Sequence, residues 1–135
     1  MNLSASTTHL SVAAASSCTV NGTSHYQDFN HRTGAVSYGS DSFALAGTTG
    51  VAVVDAPDAG VTRHILAITC AEVAGTPAAE TLTFSISTLS GSTYTPTTMV
   101  FKAALAVGAE CIFYSPEAGW VVTASVGERL IQVAT

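Results

Sequence analysis

The residues whose types best suit chemistry are His25, Asp28 and His31. Two imidazoles and a carboxylate are ordinary ligands for a transition metal. Their spacing opposes it. Along a strand, His25 and His31 would stand about 20 Å apart with Asp28 on the opposite face. Only a tight loop would gather them, and the three are read instead as solvent-exposed or interfacial polar residues. The acids Asp55, Asp58, Glu72, Glu80, Glu110 and Glu117 mostly flank turns, where carboxylates stay solvated. A carboxylate pair for glycoside hydrolysis can hide among them, because separation in sequence does not set separation in space. The chain has no G-x-S-x-G elbow, no phosphate-cradling G-x-x-x-x-G-K-[ST] and no H-E-x-x-H. No catalytic, cofactor-binding or metal-binding residue is assigned, no cofactor is expected, and the chain is read as non-enzymatic.

Cys18, Cys70 and Cys111 are odd in number and form no C-x-x-C pair. Cys70 and Cys111 fall inside apolar strand patterns, as small buried hydrophobes do in a reducing compartment. Asn2-Leu3-Ser4 and Asn21-Gly22-Thr23 match the glycosylation pattern. The N-terminal residues show no basic stretch ahead of an apolar run, so no secretory signal is expected and those matches are read as idle. Trp120 and the tyrosines have faces that stack on sugars. Trp120 follows a turn within an apolar run, which favours a core or interface anchor.

The elements that must position these residues are strands. Val61 to Glu72 is the organising one: β-branched and apolar, without Gly or Pro, bounded by Pro57-Asp58-Ala59-Gly60 and Gly75-Thr76-Pro77. Strict alternation puts His64, Leu66, Ile68 and Cys70 on one face and Arg63, Ile65, Ala67 and Thr69 on the other. Both faces are apolar in the middle, so the strand is expected to be covered on both sides or to lie in an interface. Around it, Thr8–Ala14 reads as a short strand. Cys18–Tyr26 reads either as a hairpin turning at Asn21-Gly22 or as one strand with a bulge at the glycine. Asn30–Ser42 reads as a long loop, Phe43–Leu45 and Val51–Val54 as short strands. Thr81–Thr88 is a strand with Leu82, Phe84 and Ile86 inward and Ser85 and Ser87 outward. Ser90–Thr98 reads as an exposed tip, and Met99–Leu105, Cys111–Tyr114, Trp120–Ala124 and Arg129–Ala134 as further strands. Pro57 and Pro116 each open a Pro-Asp/Glu-Ala-Gly turn, with proline at the first inner position and glycine at the left-handed one.

Eight to ten short antiparallel strands at such spacing predict an all-β fold, a jelly-roll-like β-sandwich. It is expected to span 16–135. Residues 1–15, with only Leu3, Leu10 and Val12 as sizeable aliphatic anchors, are expected as an N-terminal arm or edge strand, hinged at Ala13-Ala14-Ala15-Ser16-Ser17 and docking on a neighbour. At 135 residues the chain buries a core without staples. Only 10% of it is charged, against the usual quarter, with Ala, Ser, Thr and Gly filling the difference. A surface so neutral suits contact with other subunits. The net charge of -5 and the scattered Arg32, Arg63, Lys102 and Arg129 exclude nucleic acid as a partner. No apolar run reaches a membrane span.

Val53–Trp120 resembles a group of small virion proteins of tailed bacteriophages. The resemblance runs through Val53-Val54-Asp55-Ala56-Pro57-Asp58-Ala59-Gly60-Val61-Thr62-Arg63 and the strand that follows. It continues through Thr81–Ser87, Ala104–Glu110, and Tyr114 with Gly119-Trp120; Leu10–Val12 and Cys18–Val20 fit the opening strands. It implies a β-sandwich subunit, often a homotrimer, assembled in the host bacterial cytoplasm and carried on the virion. The partners it implies are further copies of the chain and the major capsid protein or other virion proteins. With no receptor-binding or coiled-coil region in the sequence, the expectation is a capsid decoration (cement) protein. The alternative is a tail or fibre component acting as a carbohydrate-binding adhesion module.

Overall fold

The computed structural model describes residues 1–16, 18–72, 80–105 and 111–123. These form ten strands and no helix: β1 (Asn2–Leu3), β2 (Thr8–Ala14), β3 (Cys18–Asn30), β4 (Val36–Gly47), β5 (Val51–Val54), β6 (Val61–Glu72), β7 (Glu80–Ser90), β8 (Thr93–Leu105), β9 (Cys111–Ser115) and β10 (Gly119–Thr123). Every pairing is antiparallel. One sheet runs β10-β9-β6-β3-β4, with β1 also paired to β6, and the other runs β5-β2-β7-β8. They pack face to face as a β-sandwich around Leu10, Val12, Leu45, Ile65, Ile68 and Phe84, each fully buried. Each such side chain contributes about 1.5–3 kcal/mol by leaving water.

The organising strand lies where the sequence places it. β6 holds β3 along one side; along the other it holds β9 over Ile68–Ala71 and β1 at Arg63 and His64. Its faces do not follow one alternation. His25 pairs with Ala67 while Tyr26 pairs with Ile65, so Leu66 is an extra residue, a β-bulge opposite β3. The bulge exchanges the faces midway. Ile65 and Ile68, three apart, both point inward and are fully buried. The expectation that His64, Leu66, Ile68 and Cys70 share a face is corrected on that ground.

Cys18–Asn30 is one continuous strand, so no hairpin forms at Asn21-Gly22; the bulge falls on the partner strand, not at Gly22. Gly22 serves close approach instead. It pairs with Phe43, whose ring lies over it, and a Cβ there would come within 2.2 Å of Phe43 Cζ and 2.6 Å of the Thr69 carbonyl oxygen. Gly39 sits in the same way under the ring of its cross-strand partner Tyr26. Gly22→Ala is therefore expected to overpack the sheet and cost about 1–3 kcal/mol. The thermal midpoint should fall by several degrees (on the order of 4 °C per kcal/mol at this size). Gly50→Ala, whose Cβ would meet nothing nearer than 3.6 Å, should melt close to the parent.

Asn30–Ser42 is not a loop. The chain turns at once: Asn30 Oδ1 accepts the backbone N–H groups of Arg32 and Thr33, Gly34 takes a φ of 71°, and β4 begins at Val36. Ser90–Thr98 is likewise a tight hairpin. Ser90 pairs with Thr93 across Gly91-Ser92, and Gly91, at a φ of 62°, is the first central residue of a two-residue turn. In the turn before β6, Val61 N donates to the Asp58 carbonyl and Gly60 has a φ of 79°, so the inner residues are Ala59 and Gly60, and Pro57 precedes them. Gly119, at a φ of 68°, closes the second such turn.

Residues 1–15 are no detached arm: β1 pairs with β6 on one side only, and the longer strand, β2, is no edge. β2 lies between β5 and β7, and Leu3, Leu10 and Val12 are core residues. The proposed hinge is pinned as well: Ala15 N donates to the Thr81 carbonyl, and the Ser16 backbone N–H and hydroxyl both donate to the Glu80 carboxylate. Small residues at Ser11, Ala13 and Ala14 look unlike a core strand in isolation; here they let both faces of β2 be covered. Ser11 Oγ and Ser87 Oγ lie 2.6 Å apart, and Ser85 and Ser87, expected at the surface, are buried. The strand expected over Arg129–Ala134, Ser17 of the hinge, and the Val107-Gly108-Ala109 and Gly75-Thr76-Pro77 breaks lie outside the described residues.

Candidate functional site

The structure disperses the metal-like trio. His25 is exposed on the outer face of β3. Asp28 points to the inner face and receives both Nε and Nη2 of Arg63 at 2.8 Å. The same guanidinium lies 3.8 Å from the Tyr26 ring centroid and donates through Nη1 to the Asp55 carbonyl at 3.0 Å. The Asp28 hydrogen bonds hold the Arg63 pKa above its ordinary value, against the opposing effect of burial. His31 bonds Thr62 Oγ1 at 2.7 Å and meets the Phe29 ring edge-on. Among the described residues no three His, Cys, Asp or Glu side chains gather to hold a metal.

Cys18, Cys70 and Cys111 are buried thiols. Burial pushes the Cys70 thiol up to about 12, with the neighbouring Cys111 adding to the shift. A thiol so raised is no nucleophile at neutral pH. Trp120 is an anchor within an aromatic cluster that ties the sheets together. It stacks on Phe101 at 4.6 Å between centroids and lies 4.7 Å from Phe84 and 5.0 Å from Tyr114. Its faces are thereby committed to packing.

Glu80 is the buried acid that matters for stability. Burial pushes its carboxyl up, but hydrogen bonds from Ser16, Thr81 and Ala15 together outweigh that and hold it below its ordinary value of 4.5. A carboxyl depressed in the folded state stabilises fully above its unfolded pKa, and that contribution is lost as pH falls through the folded value. Glu80→Gln should therefore flatten the acid limb of the stability profile below about pH 4.5. Parallel limbs in parent and variant, measured by urea denaturation at a series of pH values, would refute this.

Three surfaces remain. A polar cleft of about 410 Å³ is lined by Ser40, Asp41 and Ser42 of β4, Ala52 and Val53 of β5, Asp55 and Tyr94. Asp41 Oδ2 accepts the Asp55 backbone N–H at 3.4 Å, and His9 Nδ1 lies 3.5 Å from Asp55 Oδ1. The lining is thus mainly carboxylates and hydroxyls, with the Ala52 side chain among them. A shallower groove of about 640 Å³ crosses β4, β3, β6 and Cys111 on small side chains such as Ala44, Thr69 and Ala71. Toward the other end of the β3–β4 hairpin, Phe29, Val36 and Tyr38 form an exposed apolar patch, with Tyr38 73% exposed. Phe29 pairs with Val36 and Gln27 with Tyr38, which places the patch on the outer face of the β3–β4 hairpin. The sequence reading missed this patch because Gly, Ser and Asp between Val36 and Ser42 read as loop; the available signal was the alternation of Val36 and Tyr38 with serines.

No protein-family model, no curated protein and no solved structure matches this chain.

Proposed function

We propose that the protein is a non-enzymatic structural subunit of a tailed-bacteriophage virion, and that it is a capsid decoration protein bound to the outside of the head. The described parts of the segments that carry the resemblance to phage virion proteins lie on β2, β3 and β5 to β10 and the turns between them; residues 106–110 lie outside the described residues. The observation that supports the assembly reading is the exposed Phe29, Val36 and Tyr38 patch, on a surface with so few charges. In this role the chain works mechanically. It associates with itself, a homotrimer being what the resemblance implies, bridges neighbouring copies of the major capsid protein, and adds buried area that opposes internal pressure.

The polar cleft formed by Asp41, Asp55, Ser40, Ser42 and Tyr94 favours a second reading, a carbohydrate-binding adhesion module of the tail or fibre. Adding the purified protein to phage heads that lack it tests the first. Saturable co-sedimentation with heads supports decoration. Retention on immobilised host-surface glycan without head binding replaces it with adhesion.

A further inference from the structure

The β3–β4 hairpin carries two unlike features on one face. β3 pairs with β4 in an unbroken register from Cys18↔Gly47 to Phe29↔Val36, so alternate residues of both strands share a face. The Phe29, Val36 and Tyr38 patch and the small-sided groove both belong to the outward set. In the groove, Asn21 pairs with Ala44 and Ala71, and Thr23 with Ser42 and Thr69. The patch projects and the groove recedes, at opposite ends of the hairpin. Midway between them His25 and Ser40 pair with each other, both exposed. The outward set, Thr19 to Phe29 on β3 and Val36 to Ala46 on β4, holds no Asp, Glu, Lys or Arg; Asp28 and Asp41 belong to the inward set.

The projecting side chains are held before any partner arrives. Gln27 Nε2 donates to the Tyr38 hydroxyl at 3.0 Å, and His31 meets Phe29 edge-on at 5.1 Å between centroids. Side chains already fixed lose little freedom on association.

We propose that this face is a self-association surface, packed on the same face of a second copy of this chain, with the patch of each copy seated in the groove of the other. This rests on the self-assembly part of the reading above and names its contact. A second copy is the occupant because one surface carries both complementary parts, and in a two-fold pair residue i meets j while j meets i. The axis lies between the two sheets and crosses the strands at His25 and Ser40. It reverses strand direction, so β3 lies over β3 and β4 over β4. Phe29 then comes over Asn21, as far from His25 on the other side, with Ala44 and Ala71 alongside. Tyr38 comes over Ser42, and Val36 over Ala44. An axis along the strands would set patch on patch and leave both grooves empty. Charge agrees: a facing surface also without Asp, Glu, Lys or Arg strips no such group of water unpaired. The area suffices as well. At exposures of 43%, 51% and 73%, Phe29, Val36 and Tyr38 offer roughly 300 Å² per copy. The exposed Asn21, Thr23, His25, Ser40, Ser42 and Ala44 add about as much again. Two copies thus bury roughly 1,200 Å², within the range of specific interfaces. The product is a two-fold dimer, where the resemblance implies a trimer.

Sedimentation of the full chain at micromolar concentration tests this, with Tyr38→Lys in the patch and Ser42→Glu in the groove. Both positions are exposed, so circular dichroism melts of the variants should match the parent. The parent should run at twice the 13.7 kDa chain mass and each variant alone at the chain mass, because each buries an unpaired charge at both contacts. Mixed in equal amounts, the two variants should return to twice the chain mass. One contact is then unaltered, and the other sets the introduced ammonium against the introduced carboxylate. A parent of any other mass, variants that stay dimeric, or a mixture that stays at the chain mass overturns the proposal. Should either variant misfold, His25→Glu takes its place: it sets two carboxylates across the axis and should run at the chain mass, and a dimer overturns the proposal. Head binding is read separately. A monomeric parent that binds heads removes this contact and leaves decoration standing; a dimer that binds none keeps the contact and removes decoration.

Discussion

A chain lacking residues 1–15 should not fold. The deletion removes β1 and β2, and β2 is the strand through which β5 joins β7. It pairs with β7 at seven consecutive positions, Thr8↔Thr88 to Ala14↔Leu82, and with β5 from Leu10 to Val12. Without it the second sheet is cut in two and β5 has no sheet partner. Leu3, Leu10 and Val12 leave the core with it, at about 1.5–3 kcal/mol each. That loss alone, roughly 5–9 kcal/mol, matches the whole stability of a typical domain. Circular dichroism should show no cooperative melt, and limited proteolysis should degrade the truncated chain at once. A truncated protein that melts cooperatively near the parent's midpoint would mean that β2 is dispensable.

Phe84→Ala should be the most damaging single truncation of the core. Phe84 is fully buried on β7 and reaches across the sandwich to Trp120, while contacting Phe101 within its own sheet. Replacing such a ring with a methyl group forfeits its transfer energy and leaves a cavity, at about 3–5 kcal/mol. The midpoint should fall on the order of 10–20 °C. Trp120 fluorescence should shift to longer wavelength as water reaches the indole. A drop below about 1 kcal/mol in urea denaturation would mean that the aromatic cluster collapses onto the gap without loss.

The all-β class and β6 were legible because both rest on local pattern. Val61–Glu72 has no breaker and is flanked by turn residues, and β5, β7 and β9 share that clarity. What sequence left hidden was set by partners. The bulge at Leu66 exists only opposite His25 and Tyr26. β2 reads as an arm because small residues resemble a linker, and only the neighbours on both faces turn Ser11 and Ala14 into core positions. Val36–Ser42 reads as a loop for the same reason: Gly39 is a packing seat for Tyr26, a role with no trace in its own segment. Asp28 is engaged by Arg63, 35 residues away, a contact that its own segment does not announce.

The virion role is tested most directly by imaging particles made with and without this protein. The account predicts density on the outer capsid lattice that is present with the protein, absent without it, and accommodates the β-sandwich. Density confined to the tail or fibres, or particles identical in the two preparations, would contradict it.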